Sequence, residues 1–247
     1  MTSRVSKTNQ SHSRTKSRRS QEEQIAQDAH VGHRVFLLSP ANAAGVRAKM
    51  VASDRAQFEL AVRLRSGGVP LGELFSFISG LYFRGKLAYS KAFAQGPPGV
   101  GGAYVITASG GLIEPHLPVT REGLAEISAG KVEADDVRYR GPLERDAREL
   151  AKRIGPNCEV ILLGSIATPK YIEPLLGIFG ERLLFPAEFV GRGDMSRGGL
   201  MLRCARAGQA LTYVPVATAV RHGPRPPKLP KLSRTEPARA FAAANSK

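Results

Sequence analysis

The chain has no tryptophan, two cysteines and no long apolar run, and each shortage removes a class of protein. Cys158 and Cys204 are too few for a disulfide framework and belong to no C-x-x-C or Cys/His ligand spacing, which argues against a secreted cystine scaffold and a structural zinc site. No stretch approaches the ~18 consecutive apolar residues of a membrane span. Ser17-Arg18-Arg19-Ser20 runs into Gln21-Glu22-Glu23-Gln24 and not into an apolar export segment, so a twin-arginine signal fails too. The expectation is a cytoplasmic protein with no membrane partner. Cofactor motifs are missing as well: there is no Walker A sequence, no G-x-S-x-G elbow and no H-E-x-x-H. The glycine cluster of residues 96–102 precedes a strand, whereas a dinucleotide fingerprint follows one. Neither a metal nor a cofactor is expected.

Acidic residues are also short, 21 against 36 Lys and Arg, for a formal charge of +15 over 247 residues. The excess sits at the ends. Residues 1–20 and residues 221–247 each carry +6, which leaves +3 for the stretch between them, an ordinary value for a folded domain. Residues 1–33 are rich in Ser, Thr, Gln, Lys and Arg with almost no large apolar side chains, which reads as a disordered basic arm; a start codon placed upstream of the true one would give the same composition. Residues 223–247 form a Pro/Lys/Arg-rich tail, extended or polyproline-like where proline alternates with cations, that can lie across the domain. The 42% of hydrophobic residues then belong largely to residues 34–222, enough for a real core.

Within that domain the apolar runs alternate in kind. Residues 35–38, 103–107, 160–163 and 183–185 are short, continuous and bounded by Gly, Pro or Ser, as strands buried on both faces of a parallel sheet are; residues 211–214 are a weaker fifth candidate. Helical patterns separate them at residues 55–64, 71–78, 81–94, 142–154, 169–179 and 196–207. Pro142 and Pro169 are placed as first-turn prolines, Gly155, Gly180 and Gly208 as stops, and Pro174 should kink or shorten its helix. In the helix after Gly80, Leu81, Phe83 and Leu87 should pack inward while Arg84 and Lys86 are solvated. The fold class is α/β, a three-layer, open, mostly parallel sheet flanked by helices.

Open α/β sheets bind ligands at the carboxyl ends of their strands, and here the segments after the strands are rich in Gly and Ser. The first strand is followed by Ser39 and Asn42, the second by Ser109, and the third by Gly164, Ser165, Thr168, Lys170 and Tyr171. Thr168 and Pro169 suit an N-cap and first helical residue, so free N–H groups, the helix dipole and Lys170 form a candidate anion site; a plain capped βα turn is the alternative. The glycine-dense segment 191–199 carries Arg192 and Arg197, able to clamp an oxyanion, and Asp194, the candidate catalytic base or orienter; Asp194 could equally cap the following helix.

Two of these turns are similar to a known group. Leu37-Leu38-Ser39-Pro40-Ala41-Asn42 resembles the opening strand and turn of the peroxide-stress protein YaaA family. Residues 105–115, with Pro118-Val119-Thr120, resemble the strand, small-residue turn and Gly-Leu segment shared by that family and its uncharacterised relatives. The resemblance implies a compact α/β fold related to uracil-DNA glycosylases and a DNA-associated role. The segments 164–171 and 191–199 have no counterpart in it, and a glycosylase water-activating motif is absent, so no catalytic role carries over. The functional expectation is a nucleic-acid-associated protein that holds a nucleotide, base or other anion, with the basic ends on phosphates. The alternatives are an enzyme of an anionic small metabolite and a non-catalytic DNA- or RNA-binding module.

Overall fold

The computed structural model describes residues 32–230. The expected arm, residues 1–33, lies outside the described residues except for Gly32 and His33, as does the tail beyond residue 230. In chain order the elements are β1 (Arg34–Leu38), α1 (Val46–Ala52), α2 (Glu59–Ser66), β2 (Val69–Pro70), α3 (Leu71–Ser79), α4 (Leu81–Phe93), β3 (Ala103–Ile106), β4 (Leu112–Ile113), β5 (Pro118–Val119), α5 (Arg121–Ile127), α6 (Val137–Ile154), β6 (Glu159–Leu163), α7 (Pro169–Phe179), β7 (Leu183–Pro186), α8 (Asp194–Ala207) and β8 (Tyr213–Pro215). Among the described residues, no helix is long and apolar enough to cross a membrane.

Six strands form one sheet in the order β4-β3-β1-β6-β7-β8, parallel except for the two edge strands, and β2 pairs with β5 separately. Val35 to Leu38 and Val160 to Leu163 are wholly buried, as continuous apolar strands covered on both faces must be. The chain steps from β1 to β3 on one side, then returns across β1 to β6 and continues to β7. Right-handed crossovers therefore put α3 and α4 on one face and α6 and α7 on the other, where α6 packs on α7. The direction reverses between β1 and β6. Their carboxyl ends, Ser39 and Gly164, flank the switch point at which such sheets bind ligands.

Several local expectations change. The helix expected to start at Pro142 begins at Val137, because the Asp136 carboxylate accepts the Arg138 N–H at 2.9 Å and caps it there, which leaves Pro142 in the interior. Pro174 neither ends nor shortens α7: the Lys170 carbonyl that it leaves unbonded accepts the Tyr139 hydroxyl at 2.8 Å. Residues 55–58 are not helical; Arg65 donates to the Ser53 and Ala56 carbonyls at 2.9 and 2.8 Å and holds that stretch as turns ahead of α2. The fifth strand starts at Tyr213, since the Leu211 N–H is taken by the Tyr89 hydroxyl at 2.7 Å. Beyond α8, the described tail crosses back over it: Arg192 and Arg203 donate to the Pro227 and Pro230 carbonyls at 3.5 and 2.5 Å.

The closest helix pair sets the geometry of the site. A Cβ on Gly85 of α4 would lie 2.6 Å from the Gly198 carbonyl oxygen, and one on Gly198 of α8 would lie 2.7 Å from the Leu81 oxygen. Two glycines thus let the backbones touch and bring the first turn of α8 beside Tyr82 and Lys86 of α4. Gly85→Ala or Gly198→Ala should each lower the unfolding free energy by about 1–3 kcal/mol through overpacking. Gly199→Ala, whose Cβ would meet only Leu229 at 3.6 Å, should leave stability unchanged or raise it slightly; urea denaturation of the three variants distinguishes them.

Candidate functional site

Lys86 lies under the switch point. Its side chain is fully buried, and Nζ donates to the Ser39 hydroxyl at 2.8 Å and to the Ser39 carbonyl at 2.5 Å. The amine also sits 4.3 Å from the centroid of Tyr82 and 4.9 Å from that of Phe83. No carboxylate pairs with it among the described residues. Burial pulls its pKa down to about 7, with the Asp194 charge opposing the shift and that of Arg197 adding to it. At neutral pH Lys86 is therefore a mixture of ammonium and free amine.

Two phenols and an arginine complete the cluster. The Tyr82 side chain is 7% exposed, and among the described residues its hydroxyl makes no hydrogen bond of standard geometry, although Arg197 and the Ser39 hydroxyl lie beside it. Burial pushes this phenol up, against the lowering effect of Arg197. Burial also raises the Tyr171 phenol, which feels Tyr82, the Ser39 hydroxyl and Asp194. Arg197 is held from behind, Nε and Nη2 donating to the Phe189 carbonyl at 3.2 and 3.0 Å while the guanidinium lies over the Phe189 ring. Asp194, the first residue of α8, is exposed and 4.0 Å from Arg197. It sits where its charge favours the helix dipole, and it acts on Lys86 only at a distance. Gly164 is small for a reason: a Cβ there would meet Ser39 Cβ at 3.2 Å and the Tyr171 ring at 3.4 Å.

Tyr171 also faces an open cleft of 410 Å³ outside the carboxyl ends of β1 and β3. Residues 40–44 form one wall, Ala108, Ile127, Ser128 and residues 130–132 the other, and Phe75 supplies a second ring. Lys131 and Lys170 line it, and no acidic residue does. The Lys170 amine lies over the Tyr171 ring, 5.2 Å from its centroid.

The sequence-expected residues therefore fall into three groups. Ser39, Gly164, Tyr171 and Arg197 meet at the buried cluster with Asp194 exposed outside it, and Asn42, Lys170 and Tyr171 meet at the cleft. The others are engaged locally. The Ser109 hydroxyl donates to the Glu126 carbonyl, the Ser165 hydroxyl accepts the Ala167 N–H, and Arg192 donates to the Glu188 carbonyl and the Ser196 hydroxyl. Asn42 itself closes a turn by accepting the Ala44 N–H at 3.1 Å. Thr168 makes no side-chain cap and faces a separate groove lined by Glu133, Asp135 and Glu173 together with Arg140 and Lys170. Lys86 and Tyr82 were not anticipated, and the expectation that Lys86 is solvated is corrected. The buried face of α4 runs through Tyr82, Phe83, Lys86, Tyr89 and Ser90, so Phe83 packs inward as expected while Leu81 and Leu87 are only half-buried. Tyr82, Lys86, Tyr89 and Phe93 fall at helical spacing, so a lysine inside an aromatic stripe was the available signal.

No protein-family model, curated protein or solved structure matches the chain. Among the described residues no group of three His, Cys, Asp or Glu side chains is placed to hold a metal ion.

The buried amine has a consequence for stability. Folding lowers the Lys86 pKa from an ordinary 10.5, so between about pH 7 and 10.5 the unfolded chain binds more protons and stability rises with pH; below 7 both states are protonated and the cost of burying the ammonium is fully present. Cys158 and Cys204, each pushed up to about 11 by burial, act the other way once unfolded thiols ionise, which confines the window to about pH 7–8.5. Urea unfolding should show a gain of about 1–2 kcal/mol across that window. Lys86→Met should flatten it.

Proposed function

We propose that the protein binds a nucleotide or a similar ring-bearing anion in the cleft outside β1 and β3. The observation that carries this reading is the make-up of the cleft: two aromatic rings, Phe75 and Tyr171, small alanine walls, and two lysines with no acid among the lining residues. A base or other flat ring gains by burial against the rings and alanines, while phosphate oxygens gain from Lys131 and Lys170 on a lining that carries no carboxylate of its own. Lys170 also borders the neighbouring groove, where Arg140 and the acids Glu133, Asp135 and Glu173 stand, so an anion is better placed on the cleft side of this lysine. The basic ends, +6 each, suit phosphates of a nucleic acid, and the resemblance of residues 37–42, 105–115 and 118–120 to the YaaA family is in keeping with a DNA-associated role.

Thermal-shift and calorimetric titration of the full chain with nucleoside monophosphates should show saturable stabilisation. Nucleosides without phosphate should bind at least tenfold more weakly, and Lys170→Ala should erase that difference while leaving the unliganded melting temperature unchanged. Equal binding of nucleoside and nucleotide, or no binding of either, contradicts the reading.

A further inference from the structure

Ser39 and Lys86 have the relation that a serine nucleophile needs with its base. The amine is within 2.8 Å of the hydroxyl, is wholly enclosed, and is not neutralised by a paired carboxylate among the described residues. A third group points the same way. The Tyr82 hydroxyl is buried against this pair, beside the Ser39 hydroxyl and Arg197 but with no hydrogen bond of standard length and angle to either, and a buried donor so weakly engaged in the resting state is ready to bond an oxygen that appears only during a reaction. Ser39 keeps 6% of its surface exposed, at the head of the turn whose next residues line the cleft.

We infer that Ser39 is a nucleophile, Lys86 its general base and Tyr82 the donor to the oxyanion, in the cleavage of a carboxylic ester. The free amine of Lys86 takes the Ser39 proton as Oγ attacks the acyl carbon, and the carbonyl oxygen, now negative, accepts a hydrogen bond from Tyr82. Collapse breaks the bond from the acyl carbon to the alkoxy oxygen, and the Lys86 ammonium returns its proton to the leaving alcohol. Water then attacks the acyl-serine with Lys86 again as base, which releases the carboxylic acid and restores Ser39. Lysine can do this at neutral pH only if its amine is partly unprotonated, as burial provides here, since the other groups facing it, Tyr82, Tyr171, Arg197 and the exposed Asp194, supply no compensating contact charge.

A small dialkyl fluorophosphate tests the pair directly, because phosphorylation forms the Oγ–P bond, expels fluoride and sends the hydroxyl proton to Lys86. With the full chain, mass spectrometry should find one adduct, on Ser39, absent in Ser39→Ala. Its rate should climb about tenfold per pH unit below pH 7 and level off above, and Tyr82→Phe, which removes only the hydroxyl, should slow it at least tenfold. No adduct, an adduct elsewhere, a rate flat from pH 5.5 to 8.5, or an unchanged rate in Tyr82→Phe overturns the assignment. The inference stands apart from the nucleotide reading: nucleotide titration reports on the cleft lysines, whereas the adduct reports on Ser39, so either can fail alone.

Discussion

A lysine amine with no carboxylate in contact among the described residues, held inside the protein by a serine, is the constraint around which the molecule is arranged. Burying an ammonium costs several kcal/mol unless it is paired, and Lys86 meets that cost by giving up part of its affinity for the proton and by donating to both oxygens of Ser39. For this to happen the end of β1 must lie against the middle of α4. The sheet order ensures it, since β1 is central and the β1–β6 junction is where the chain reverses direction. Gly85 and Gly198 then admit α8 to backbone contact with α4, and with it Arg197, which adds positive charge beside Lys86 and lowers the pKa of its amine further.

The cleft and the cluster are separate in composition but share Tyr171, whose ring faces the open volume and whose hydroxyl faces Ser39 and Tyr82. One side is suited to holding something, having apolar walls and two lysines; the other is suited to moving a proton, having an amine poised near neutrality and a weakly engaged phenol. Ser39 and Asn42 stand three residues apart on one turn and serve the two sides.

The layer architecture was legible in the amino-acid sequence because it rests on strong local signals. Val35-Phe36-Leu37-Leu38 and Val160-Ile161-Leu162-Leu163 can be little else than doubly covered strands, and Gly155, Gly180 and Gly208 end the helices they were expected to end. What escaped notice depends on tertiary partners. Pro142 sits inside α6 because the Asp136 cap starts that helix upstream of it, and Pro174 sits inside α7 because the Tyr139 hydroxyl bonds the Lys170 carbonyl that the proline leaves free. Strands β2, β4 and β5 are two residues each and carry no period. At the site, Ser39, Gly164 and Tyr171 were found from their place after strands, whereas Ser109, Ser165 and Arg192 share that place and satisfy backbone groups instead. Lys86 was missed because a lysine on a helix is solvated by default, and only the α4–α8 contact closes over it.

The proton affinity of Lys86 decides whether this picture is right. Titration of the folded chain labelled with ¹³C at the lysine ε-carbons should resolve one lysine with a midpoint near pH 7 that vanishes in Lys86→Met. If every lysine instead titrates at its ordinary value, about 10.4, the amine is solvated or paired and the account of the site is wrong.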